Sequence, residues 1–203
     1  AWLIASGTAI CGGSAIAAIS SVLKPKSTEI TIALAAVFIL NAIALLIFPY
    51  IGHFFQLSQY QFGLWSAIAI HDTSSVVGAA KIYGDEALHV ATTVKLSRTL
   101  WIFPLAIIIS YFNKNEDSSF KFPYFIFGFI ATMLIATYFP EGENLYKILQ
   151  SISKQLMVAS LFMIGSMINL EAIKKAGFKT ISFATILWIL ISIISLILIL
   201  RFY

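Results

Sequence analysis

The chain is 203 residues long, with 60% hydrophobic and 11% charged residues and a mean hydropathy of +0.93. Soluble domains are about half apolar and about a quarter charged, so this balance excludes a water-soluble enzyme. The formal charge of +4 and pI near 9.2 do not point to nucleic acid, because the 13 basic residues are scattered through polar connections and helix ends, where they serve as topology signals and headgroup contacts.

The apolar residues are ordered along the chain. Residues 1–23, 30–70, 122–140 and 180–200 contain no Lys, Arg or Glu. A helix rising about 1.5 Å per residue needs about 20 apolar residues to cross roughly 30 Å of hydrocarbon. The pattern predicts an all-α, polytopic integral membrane bundle with interrupted helices, forming one domain over residues 1–203. Seven segments are expected, at 1–23, 29–51, 58–80, 86–112, 122–139, 148–170 and 179–200. The chain opens at Ala1 without Met or a charged leader, so it reads as a piece whose first helices are missing.

Segment one carries Gly7-Thr8 and then Cys11-Gly12-Gly13-Ser14. Glycine pairs raise the cost of a continuous helix, and freed backbone groups are tolerated at membrane depth only within protein or beside a wet cavity. The amides of Gly12 and Gly13 and the hydroxyl of Ser14 are candidate donors to an anion; equally, small residues let membrane helices pack closely. Cys11 has no second cysteine to pair with and reads as a small buried hydrophobe. Lys24-Pro25-Lys26-Ser27-Thr28-Glu29 stops one helix and starts the next, with Ser27 or Thr28 as cap. Segment two is ordinary, and its Asn41 reads as an interhelical hydrogen bond.

Segment three holds His71-Asp72-Thr73-Ser74-Ser75 between apolar runs. An ionisable group at a bilayer centre costs at least about 2.5–3.5 kcal/mol, so such groups face cavities and serve function. Asp72 could hold a coupling cation or a proton and His71 could change charge near neutral pH, with Thr73 and Ser74 as neutral donors. The competing reading ends the segment near Ile70 and makes the dipeptide an interfacial cap. At an offset of 60, Ala9-Ile10 match Ala69-Ile70, Ser14 matches Ser74, and Ile16 faces Val76, a weak sign of an internal repeat.

Segment four begins amphipathic, with Lys95 and Arg98 three apart on one side and Pro104 as an expected kink. Both cations could draw in an anionic substrate, Arg98 bidentately, or snorkel to headgroups. In segment six Asn169 reads as a helix end. If all seven segments simply cross, lysine and arginine divide five against five between the two sides; one re-entrant or broken segment, with segment three as the candidate, accommodates that tie. Three scattered histidines and one cysteine make no metal pattern, and there is no phosphate-loop, nucleophile-elbow or metalloprotease motif. The expectation is that the chain is not an enzyme.

Three linked stretches carry a family resemblance: Ser6 through Ile16 (SGTAICGGSAI), then Phe62-Gly63-Leu64-Trp65 leading to Ile70-His71-Asp72 and Val76-Val77, then Val94-Lys95-Leu96-Ser97-Arg98. In order and spacing they resemble the YeiH-like family of sulfate exporters, over essentially the whole chain. The resemblance implies a multi-spanning inner-membrane protein, related to the bile acid, arsenite and riboflavin transporter superfamily, of which this chain is the C-terminal portion. In that superfamily, inverted repeats of five helices lay two broken helices across one another near the substrate. The family's acidic residue after the histidine is matched by Asp72.

The combined expectation is a secondary transporter of a small anion, such as sulfate or an organic sulfonate, working by alternating access. Gly12, Gly13, Ser14, Thr73, Ser74, Lys95 and Arg98 would bind the substrate, and His71 and Asp72 would handle coupling to Na+ or H+, with no cofactor and no resident metal. The expected partners are the lipid bilayer, the anion and, in a homo-oligomer, further copies of the chain, with nucleic acid excluded. A passive anion channel and a scaffold or sensor subunit are the alternatives.

Overall fold

The computed structural model describes residues 2–102, 104, 105, 108, 109, 125–139, 142–166 and 178–203. Among them run nine helices and no strand: α1 (Trp2–Ala9), α2 (Gly13–Leu23), α3 (Ser27–Phe54), α4 (Gln59–Ala69), α5 (Thr73–Tyr83), α6 (Asp85–Thr99), α7 (Phe125–Tyr138), α8 (Glu143–Ser166) and α9 (Phe178–Phe202). Asn169, expected at a helix end, lies outside the described residues.

Segments one and three are both broken. The first splits into α1 and α2 around residues 10–12 and the second into α4 and α5 around 70–72. The half-helices are only 8–11 residues long, about 12–17 Å each, so neither half alone reaches across a bilayer. The offset of 60 seen in the sequence returns in the element boundaries: Ala9 and Ala69 end their half-helices, and Gly13–Leu23 and Thr73–Tyr83 are the helices that follow. The breaks themselves differ. Gly12 turns through φ 65°, ψ −120°, which only glycine adopts without strain, whereas Asp72 is extended at φ −93°, ψ 144°.

Two uninterrupted helices among the described residues are long and apolar enough to cross a membrane: α3 and, within α9, Thr180–Phe202. Among the described residues, segments two and seven are continuous spans and segments one and three are broken pairs, while segments four, five and six extend into residues outside those described. α3 begins with Lys26 as its N-cap, whose N–H donates to the Glu29 carboxylate at 3.2 Å, so Ser27 is the first helical residue instead of the cap. α3 also runs to Phe54, past Pro49 and the expected end at Ile51, which puts His53 in its last turn, stacked on Tyr83. α6 stops at Thr99, five residues short of Pro104: the Leu100 and Trp101 amides fall back on Ser97 and Arg98 carbonyls, tightening the last turn.

α3 is the post on which both broken pairs lean. Its first half packs Ala33, Ala36, Val37 and Leu40 against Leu3, Ile4, Ile16 and Ile19 of the first pair. Its second half packs Ala44 and Phe48 among α4, α5 and α6. Phe48 stacks on Trp65 at 4.2 Å, and the Trp65 indole N–H donates to the Ser192 carbonyl of α9 at 3.0 Å, which satisfies its polar tip while the ring is buried. The outward face of α9, with Ile186, Leu190, Ile193 and Ile197, is exposed; a face of that extent suits hydrocarbon and not water.

α4 and α6 are in tight contact at Gly63. A Cβ there would lie 2.8 Å from Cβ of Val90 and 2.9 Å from the Ala87 carbonyl oxygen, and a backbone oxygen cannot swing aside. Gly63→Ala is therefore expected to cost about 1–3 kcal/mol by forcing α6 away from α4, seen as a lower melting temperature of the purified protein in detergent. An unchanged melt would show that the two helices separate freely.

Candidate functional site

The two breaks touch. A Cβ built on Gly12 would sit 3.3 Å from the Asp72 amide nitrogen, the His71 carbonyl carbon and a Val37 methyl, so the first break is laid directly against the second and both against α3. Asn41 of α3 braces the meeting point. Its Oδ1 accepts from the His71 N–H at 3.1 Å and the Asp72 N–H at 3.3 Å, two donors freed where the chain leaves the helix. The interhelical role read for Asn41 is present, and it lies at the centre of the crossing.

Four helix ends meet here, and they are served differently. At the start of α5, Asp72 is the N-cap, its carboxylate accepting from the Ser74 N–H at 3.0 Å; a negative charge there is favoured by the helix dipole. At the start of α2 the N-cap is Gly12, with no side-chain cap, so its first N–H groups retain the anion-attracting end. The carbonyl ends of α1 and α4 are served by α6. Lys95 Nζ donates to the Ile70 carbonyl at 2.7 Å and the Ala67 carbonyl at 3.4 Å. Arg98 Nη1 donates to the carbonyls of Ala67 and Ile68 at 2.8 and 3.0 Å, and its Nη2 reaches across to the Ala9 carbonyl at the end of α1.

The side chains expected from the sequence are thus brought together, but in distinct places. Gly12 is buried in the crossing and Gly13 backs onto Phe38 of α3. Asp72, Thr73 and Ser74 are half-buried and Ser14 is exposed. His71 is fully buried, and neither of its ring nitrogens nor Asn41 Nδ2 has a hydrogen-bond partner among the described residues. Lys95 is sealed at 0% exposure and Arg98 is half-buried. Both point their charge at main-chain carbonyls, and neither pairs with a carboxylate among the described residues. Cys11 packs with Ile10, Ala15 and Ile102 as the small hydrophobe expected. Among the described residues no group of three or more His, Cys, Asp or Glu could hold a metal ion. A cavity of about 330 Å³ lies elsewhere, at the outer ends of the first pair beside Trp2, Leu23 and Pro25.

No solved structure matches the chain. Among curated relatives, it is 50% identical over 201 residues to a UPF0324 membrane protein of Vibrio parahaemolyticus, covering 97% of this chain and 65% of that one. It is 48% identical over 196 residues to a UPF0324 membrane protein of Bacteroides thetaiotaomicron, covering 96% and 59%, and 47% identical over 195 residues to one of Geobacter sulfurreducens, covering 96% and 63%. The chain therefore spans less than two thirds of the length of these relatives. Their names support a membrane protein, while sulfate and export rest on the resemblance alone. Residues 1–184 match the family described as "Conserved hypothetical protein 698", and the chain belongs to that family.

Proposed function

We propose that the chain is part of a multi-pass inner-membrane secondary transporter for a small oxyanion, sulfate or an organic sulfonate, that binds where the two broken helices cross. The observation that carries this reading is the contact of Gly12 with His71-Asp72, which puts the start of α2, without a side-chain cap from Gly12, beside the capped start of α5, whose Asp72, Thr73 and Ser74 are only half-buried. The charge balance supports an anion. Lys95 and Arg98 contribute two positive charges against the single carboxylate of Asp72, which already serves α5. The anion is then held by amides of Gly13 and Ser14 and by hydroxyls of Ser14, Thr73 and Ser74, with the two cations biasing the local field from behind the carbonyls. Donors of this kind leave no bare buried charge when the site empties, as alternating access requires.

His71 and Asp72 carry the coupling in this reading. Asparagine caps helices as well as aspartate, so Asp72→Asn keeps the Ser74 N–H bond and removes only the charge. Uptake of labelled sulfate into proteoliposomes of the protein is expected to saturate with concentration, and Asp72→Asn to lose at least about tenfold of the gradient-driven component, the effect of about 1.4 kcal/mol, while its melt stays near that of the wild type. Normal driven uptake in that variant removes Asp72 from coupling. Uptake that rises linearly without saturation replaces the transporter by a channel.

A further inference from the structure

We infer that Lys95 and Arg98 are built-in cations of the crossing: they fill the carbonyl-lined position between the ends of α1 and α4, so that anion binding there needs no added metal cation. The inference rests on the transporter reading for its consequence, but its geometry stands alone. Four main-chain oxygens, of Ala9, Ala67, Ile68 and Ile70, converge from two helix breaks onto two side chains of α6. Each helix end carries about half a negative charge on unpaired carbonyls, and such oxygens cannot be left bare away from water. Where membrane helices are broken, unwound carbonyls and half-helix C-terminal ends commonly coordinate Na+.

Here the same kind of oxygen cluster is already occupied. The Lys95 ammonium lies 2.7 Å from the Ile70 oxygen and is excluded from solvent, and the Arg98 guanidinium spans both breaks. The spacing that achieves this is sequence-encoded. Positions 95 and 98 are one turn apart on one face of α6, and the tight approach at Gly63 holds α6 close enough to α4 for both heads to reach. A tethered cation has no translational entropy to lose on each cycle and cannot dissociate with the substrate. It supplies the compensating charge from within the fold, and leaves a dissolved sodium ion without a place at these carbonyls.

The test is a set of melts of the purified protein in detergent, comparing sodium chloride, methylammonium chloride and choline chloride at one ionic strength. Asp72→Asn, which removes the coupling carboxylate and leaves Lys95 and Arg98 in place, is expected to melt at the same temperature in all three; a saturable stabilisation of that variant by sodium overturns the proposal. Lys95→Ala, which vacates the ammonium position, is expected to melt lower in choline and to recover about 5 °C with sodium or methylammonium at a hundredfold excess over its Kd. Lys95→Met, filling the space without charge, is expected to melt lower than wild type and to recover with neither cation. Identical behaviour of Lys95→Ala in all three salts, or a wild-type melt for Lys95→Met, sinks the proposal. None of these readouts involves transport, so absent sulfate uptake alongside them would remove the transporter reading and leave this one intact.

Discussion

Gly12→Val is expected to unfold the crossing, at a cost of about 2–6 kcal/mol. Two effects add. The φ of 65° with ψ of −120° at Gly12 lies in a region that costs a residue with a side chain about 1–3 kcal/mol, and a β-branched one pays at the upper end. The new side chain would also enter a space already closed at 3.3 Å by the Asp72 nitrogen, the His71 carbonyl carbon and Val37; forcing atoms into a packed interior costs about 1–3 kcal/mol more. Neither wall can retreat cheaply, since both 71 and 72 are held by Asn41 and Asp72 also begins α5. Gly13 provides the control. It has no positive φ, and a Cβ there meets the rim of the Phe38 ring, which can tilt. Melts of Gly12→Ala and Gly13→Ala should therefore differ by at least about 1 kcal/mol, with Gly13→Ala near wild type. Equal losses would mean that helix propensity, and not the contact between breaks, selects glycine at position 12.

The two glycines show what a sequence can reveal here. The interruptions at 10–12 and 70–72 were visible because their causes are local: paired glycines, and an Asp followed by Thr and Ser, which end and begin helices through their own backbone preferences. The family resemblance implied that two broken helices cross without assigning which segments they are; that these two interruptions meet is seen only in the fold, because the contact depends on how α1, α2, α4 and α5 lean on α3. The offset of 60 was a weak signal in residue identities and is plain in the helix boundaries, since a boundary tolerates substitutions that an identity count does not.

Lys95 and Arg98 illustrate the opposite limit. Their spacing was legible, and their charge suggested an anion as the partner. The groups they reach are carbonyls of Ala9, Ala67, Ile68 and Ile70, whose side chains are all apolar, so nothing in the sequence marks them as acceptors. A backbone acceptor becomes available only when a helix ends beside it. The same reasoning accounts for segment four. Its apolar run past Arg98 looked continuous to residue 112 with a kink at Pro104, yet α6 ends earlier, at Thr99, where both basic side chains have already been turned toward the crossing.

Arg98→Lys is expected to behave as a loss, in spite of keeping the charge. The guanidinium is a planar fork, and here one arm serves Ala67 and Ile68 of the second break while the other serves Ala9 of the first. An ammonium presents one compact head and cannot span both. A buried carbonyl left without a donor costs about 1–3 kcal/mol, and one at an exposed position such as Ala9 costs less. Ala67 keeps Lys95, so Ile68 and Ala9 are the oxygens at risk. Arg98→Met should then lower stability by about 1–3 kcal/mol, mostly from Ile68, and Arg98→Lys should recover only part of that, because it can restore one break and not the tie between them. The consequence for transport is separable: if the tie sets the geometry of the crossing, Arg98→Lys should raise the sulfate concentration for half-maximal uptake more than it lowers the maximal rate. A lysine variant that melts and transports like the wild type would show that charge near the carbonyl ends suffices, and that the bridging fork contributes nothing to holding the two broken helices together.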